Sequence, residues 1–520
     1  MFDYLYHLDE ERLITGVYYA IRIIKERVFA ANRMTYRIDG LETEPSLDDE
    51  RLARQIINEI EISEKNPIYE LSDLQVAKYI TNLAEIVKRK IEPLVYDDEK
   101  GQALIVKLQR DFLADFKSSS KSVEYIHKLL REVQDRDLYS DIKNVDEVPY
   151  PELVIEGKSY LCFCSNNYLG LSIHPEVKRA AIEAVEKYGI GTCESRLVAG
   201  NLTILKDLER AIADFNRAPE AIVYLSEYMT DTVIPTIMDS IELSGLPSIK
   251  NEDNLIVKDA LCHINIVNGC MLSRSPKNTY LHKDMNHLEH ILKRNSKKRK
   301  LIITDGVFSM DGDMAPLQDI VELAQTYDAM VMVNDVNATG IIGENGRGTA
   351  EYFGVEGKID IVMGTLSKAI GALGGFVTAS PEIIQNLRMR SHSYIFSSSL
   401  PPEQVCGIMA ALRIIQNEPG LRANFWKNVN YFKTGLREIG FDTLGSETHI
   451  IPIFIGDEDK SIQMARLLLE KGILAPVMRW PAVPIGRSKI RCTVTALHTR
   501  SHIDYALDAF RETGKVIGII

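Results

Sequence analysis

The stretch Asp360-Ile361-Val362-Met363-Gly364-Thr365-Leu366-Ser367-Lys368-Ala369 decides the reading of this chain. An apolar, strand-like run leads into a Gly-Thr turn and then to one lysine in apolar surroundings. Burial disfavours an ammonium ion, so the Lys368 amine is expected to be partly desolvated and easier to deprotonate. An amine in that condition is what imine chemistry requires. A lone lysine at a strand end is more often an ordinary surface residue, so the decision falls to its neighbours.

Upstream stand Asp305-Gly306-Val307-Phe308-Ser309-Met310-Asp311-Gly312-Asp313 and Val333-Asn334-Asp335-Val336-Asn337-Ala338-Thr339-Gly340. Downstream come Gly371-Ala372-Leu373-Gly374-Gly375-Phe376 and Tyr394-Ile395-Phe396-Ser397-Ser398-Ser399-Leu400-Pro401-Pro402, and far upstream Ser165-Asn166-Asn167-Tyr168-Leu169-Gly170. In this order and spacing the motifs resemble the α-oxoamine synthases, across roughly residues 122–515. The resemblance implies an α/β, aminotransferase-like fold type I with pyridoxal phosphate (PLP) as cofactor. It further implies condensation of an amino acid with an acyl thioester, on CoA or a carrier protein, with loss of the amino acid's carboxylate.

Such a site needs an amine, a ring-stacking partner, phosphate donors and a group facing the pyridine nitrogen. The resemblance assigns the amine to Lys368, the stacking ring to His263, and phosphate contacts to Thr365 and Tyr228, with Ser398 reaching the partner subunit's phosphate in a homodimer. Ser309 falls near the cofactor ring, and Asn166, Arg479 and Arg491 fall to the substrate, a guanidinium fork suiting its carboxylate. For His263 and both arginines the plain alternatives are a structural histidine and surface ion pairs.

Several positions depart from the family pattern. Asn334 and Asn337 stand where the family has Asp and His. Asp335 is adjacent, but successive strand residues face opposite ways, so it is not expected to substitute. An amide supplies no charge, so Asn334 taken by itself predicts a mostly neutral pyridine. In Ser226-Glu227-Tyr228-Met229-Thr230-Asp231, Glu227 replaces a glycine of the phosphate turn, and Glu194 and Leu205 replace a Gly and a His. These changes keep a second reading open, a weak or inactive paralogue serving as a regulatory or scaffolding subunit.

Periodicity frames the motifs. Residues 1–117 read as a helical extension with stripes such as Leu13, Val17, Ile21, Ile24 and Val28, closed by a Ser-rich linker at 117–122. Residues 122–400 read as the cofactor-binding large domain, with strands and helices alternating as in a mainly parallel sheet. Residues 401–520 read as a linking helix and a final α+β segment, which the resemblance implies is the family's small C-terminal domain.

Net charge −12 excludes a general affinity for nucleic acid. The one strong basic run, Lys293-Arg294-Asn295-Ser296-Lys297-Lys298-Arg299-Lys300, is expected to be a solvated helix end. No apolar run is long enough to span a bilayer, and the acidic N-terminus lacks a signal-peptide pattern, so a cytoplasmic protein is expected. The seven cysteines contain no C-x-x-C pair. Cys162 and Cys164 read as small buried hydrophobes, not as metal ligands or a disulfide.

Overall fold

The computed structural model describes residue 131 and residues 143–240, 250–480 and 482–520. The expected helical extension and Ser-rich linker lie outside the described residues. Residues Lys143–Ile520 form one compact unit. It begins with β1 (Val145–Glu147), β2 (Glu152–Ile155) and β3 (Lys158–Cys162), an antiparallel meander.

The central strands are β4 (Glu220–Tyr224), β5 (Asn254–Asp259), β6 (Lys277–Tyr280), β7 (Arg299–Asp305), β8 (Ala329–Asn334), β9 (Ile361–Thr365) and β10 (Gly375–Ala379). They make a seven-stranded sheet in the order β4-β10-β9-β8-β7-β5-β6. The pairs β5–β6, β5–β7, β7–β8 and β8–β9 are parallel, and only β10 runs against its neighbours β9 and β4. Both faces are covered, which is why the strands read as continuous apolar runs. Leu301, Ile303, Met332, Ile361 and Met363 pack on one face against helices Val233–Met238, Ile264–Leu272 and Pro381–Arg390. Ile302, Val331 and Val333 pack on the other against helices Met285–Arg294 and Leu317–Thr326.

Helices Pro402–Asn417 and Pro419–Ile439 lead to β11 (Ile451–Gly456), β12 (Ile473–Leu474), β13 (Val477–Met478) and β14 (Ser488–Cys492). A three-stranded antiparallel sheet, β11-β14-β13, carries helices Glu458–Glu470 and Arg500–Val516. β12 instead extends the β1-β2-β3 meander, so the N-terminal strands and the C-terminal segment share a sheet. Among the described residues no helix is long and apolar enough to cross a membrane.

Two sequence expectations need correction. Gly364 and Thr365 are not in a turn: they are the last residues of β9, paired with Phe376 and Gly375 of β10. Glycine is required at 364 because a Cβ there would lie 2.1 Å from Cζ of Phe376, so the turn starts only after Thr365. The basic run is also not wholly a solvated helix end. Lys293 and Arg294 close a helix, but Arg299 and Lys300 open β7. Lys300 is buried, its amine donating to the carbonyls of Ser296 and Lys298, and Arg299 donates to the Ile237 carbonyl.

Candidate active site

The carboxyl ends of β7, β8 and β9 place Asp305, Asn334 and Thr365 as terminal residues on adjacent strands. The pleat puts Asn334 on the Met332 face and sends Asp335 to the other side. There the Asp335 carboxylate accepts from the backbone N–H of Thr349 at 2.8 Å and its hydroxyl at 2.6 Å. Asp335 is therefore occupied elsewhere, as alternation requires.

Three residues past Thr365, Lys368 is held with only 16% of its side chain exposed. Burial, aided by the Arg491 charge, lowers its pKa, while Glu227 and Asp305 pull the other way. The Lys368 amine donates to Oδ1 of Asn337 at 3.0 Å, and Nδ2 of Asn337 donates to the Val307 carbonyl at 3.2 Å. Asn337 is thus a neutral support for the lysine. Glu227 stands 4.0 Å from the same amine. Its backbone angles, φ −56 and ψ −41, suit any residue, so the chain at this turn does not require the glycine expected there. The constraint falls across the strand, where a Cβ at Gly375 would come within 2.6 Å of Glu227 Cα.

A cleft of about 270 Å³ is lined by Ser226, Glu227, Tyr228, His263, Ser367, Leu373 and Gly374. His263 also caps helix Ile264–Leu272, its Nδ1 accepting from the Asn265 N–H at 3.4 Å. The structural role weighed for it therefore exists beside its position in the cleft. Thr365 Oγ1 and Ser367 Oγ are 2.8 Å apart, and the exposed Tyr228 hydroxyl accepts from Asn268 at 2.6 Å.

Arg491 on β14 donates through Nε to the carbonyl of Ser309 at 2.7 Å, tying the small sheet to the loop after β7. Asn166 is exposed and accepts from the Tyr168 hydroxyl at 3.2 Å. Arg479 follows β13 and is half-buried, outside the cleft lining. Ser398 does not line that cleft either. It is exposed, bridges to Ser195, and borders a void of about 10 Å³ with Arg196, Leu205 and Tyr394. Leu205 and Glu194 thus belong to the Ser398 end, where Glu194 accepts from the Ser195 N–H at 2.8 Å.

The residue that the sequence reading passed over is Asp305. It is buried, with one oxygen 2.9 Å from Asn334 Nδ2 and the other 3.0 Å from the His263 backbone N–H. Burial raises its pKa to about 7, against the hydrogen bonds from Asn334 and His263. The one signal available was its place at the end of an apolar strand run, beside Asn334 in the sheet. Oδ1 of Asn334 is buried with no hydrogen-bond partner. Buried polar atoms are rarely left so, and an orphaned acceptor suits a ring that brings its own donor. With the desolvated amine of Lys368 and the hydroxyls beside it, these residues fit PLP.

The chain matches the family model "Aminotransferase class I and II" over residues 158–510. It is 40% identical over 405 residues to an 8-amino-7-oxononanoate synthase of Thermoanaerobacter pseudethanolicus, covering 78% of this chain and all of that one. The chain belongs to the α-oxoamine synthase family. An 8-amino-7-oxononanoate synthase of Bacillus subtilis is 38% identical over 402 residues, covering 77% of this chain. Among solved structures, the serine palmitoyltransferase of Sphingomonas wittichii superposes with a TM-score of 0.71 at 30% identity, covering 78% of this chain and all of that one. A structure of SPT with PLP gives 0.72 at 31% identity. As an α-oxoamine synthase the chain is a PLP-dependent acyltransferase of fold type I. The alternative of an inactive scaffolding paralogue finds no support among these relatives.

Proposed function

We propose that this chain condenses an amino acid with an acyl thioester and releases the amino acid's carboxylate as carbon dioxide. The observation that carries the proposal is the buried, cation-disfavouring setting of Lys368 at the open end of the sheet, in a chain whose relatives are named as synthases of this class. PLP, when bound, supplies an electron sink for the amino acid's α-carbon.

The chain's own residues do the rest. Lys368 Nζ would hold the cofactor and would carry a proton, burial having lowered its pKa from the ordinary lysine value. Asn337 orients that amine. Thr365, Ser367 and Tyr228 would supply hydroxyls to a phosphate, and His263 would hold the ring. Arg491, fixed through Nε by the Ser309 carbonyl, would meet a substrate carboxylate with its guanidinium. Arg479 and Asn166 serve the substrate side.

A homodimer completes the proposal. Ser398 is exposed and outside its own cleft, while the adjacent Phe396 is 81% exposed, which suits a segment covered by a second copy. The test incubates the PLP-loaded protein with amino acids and acyl thioesters and measures thiol release. Release that needs both substrates and disappears in Lys368→Ala is expected. Release without the amino acid, or retained in Lys368→Ala, overturns the proposal.

A further inference from the structure

A neutral pyridine is the expectation for Asn334 taken alone, but Asn334 is not alone. Its Nδ2 donates to Asp305 at 2.9 Å, and Asp305 is itself pinned by the His263 N–H at 3.0 Å. An ionised carboxylate only accepts hydrogen bonds. Asp305 therefore forces the amide to turn its nitrogen inward, which leaves Oδ1 as the free end. That oxygen is buried and unpartnered. An amide oxygen also only accepts, so whatever it meets must bring a proton.

We propose that Asp305 is a positioning residue that, by fixing the Asn334 amide, makes Asn334 Oδ1 an acceptor for a protonated ring nitrogen of the cofactor. The inference rests on PLP as the cofactor. No charge touches the ring directly: the carboxylate acts one hydrogen bond away and polarises the amide between them, an effect that low local dielectric strengthens. The burial that raises Asp305 toward neutrality works against this, and a cationic ring nearby would work for it. Asp335 takes no part, being bound to Thr349 on the opposite face.

The test loads the full chain with PLP labelled with ¹⁵N in the ring and reads the nitrogen's chemical shift. Cofactor content and melting temperature are followed in parallel. The wild type is expected in the protonated range. In Asp305→Asn the new amide can donate to Asn334, turning its NH₂ toward the ring, so the shift should move to the unprotonated range with the cofactor still bound. Adding Asn334→Asp to that variant should restore the protonated signal, a rescue that a purely structural role of Asp305 would not produce. A wild-type ring in the unprotonated range, or an Asp305→Asn signal equal to wild type, overturns the proposal. Should Asp305→Asn not fold, the wild-type shift alone still decides. Failure of PLP to bind at all would instead strike the cofactor assignment.

Discussion

Glu227 gives the sharpest quantitative prediction, because it is the departure that sets a carboxylate beside Lys368. In Glu227→Gln the side chain keeps its size and loses its charge. The carboxylate is 4.0 Å from the amine, and the two side chains are 17% and 16% exposed. At that distance an effective dielectric of 20 gives roughly 4 kcal/mol of Coulomb attraction. Water at the cleft mouth and the offsetting desolvation cut this, and about 1.4 kcal/mol, one pKa unit, is a reasonable net effect. Its sign is fixed: removing an anion beside an amine disfavours the ammonium form, so the Lys368 pKa falls further. The assay is the pH dependence of covalent capture of pyridoxal, trapped with borohydride. Pyridoxal carries no phosphate, so Glu227's effect on phosphate binding does not enter. The midpoint should move to lower pH by about one unit in the variant. An unmoved midpoint, or one moved upward, would refute the pairing of Glu227 with Lys368.

Other expectations follow from the same geometry. Gly364→Ala places a methyl against the Phe376 ring and should cost about 1–3 kcal/mol, read as a lower melting temperature. Arg491→Lys keeps the charge but loses the Nε bond to Ser309 and the planar fork, so KM for the amino acid should rise at least about tenfold with a smaller change in kcat. Asp335 is raised by burial to about 6, so the folded state holds its proton more tightly than the unfolded chain. Stability from this group is therefore greatest at low pH and declines as pH rises from about 4 to about 6. Asp335→Asn should flatten that decline in chemical denaturation. His282 has the same sign from a different cause: burial opposes its charge, but Asp259 and Asp313 outweigh it and raise it to about 9. Its contribution is present below about pH 6.5 and lost toward 9, a loss that His282→Gln should remove.

Much of the site was legible because chemistry and strand ends coincide in a parallel sheet. Lys368, Asn334, Asn337 and Thr365 were proposed by motif, and the structure gathers them at the strand ends; the pleat alone predicted that Asp335 turns away. Glu227 was identified as foreign to its turn, but its approach to the amine was not, since a distance of 141 positions in sequence carries no contact signal. Asp305 was missed for a similar reason: its partner Asn334 is 29 residues on, and only the β7–β8 register brings them together. The Gly364-Thr365 pair was misread as a turn because glycine commonly marks one, whereas here it makes room for Phe376 across the sheet. That neighbour belongs to β10, whose antiparallel direction no local pattern announces.

The central claim is that Lys368 is the residue that holds the cofactor. Loading the protein with PLP, reducing it with borohydride and mapping the modified peptide tests this directly. The account predicts one pyridoxyl group per chain, on Lys368. Modification of another lysine, or of none in a folded protein, would contradict it.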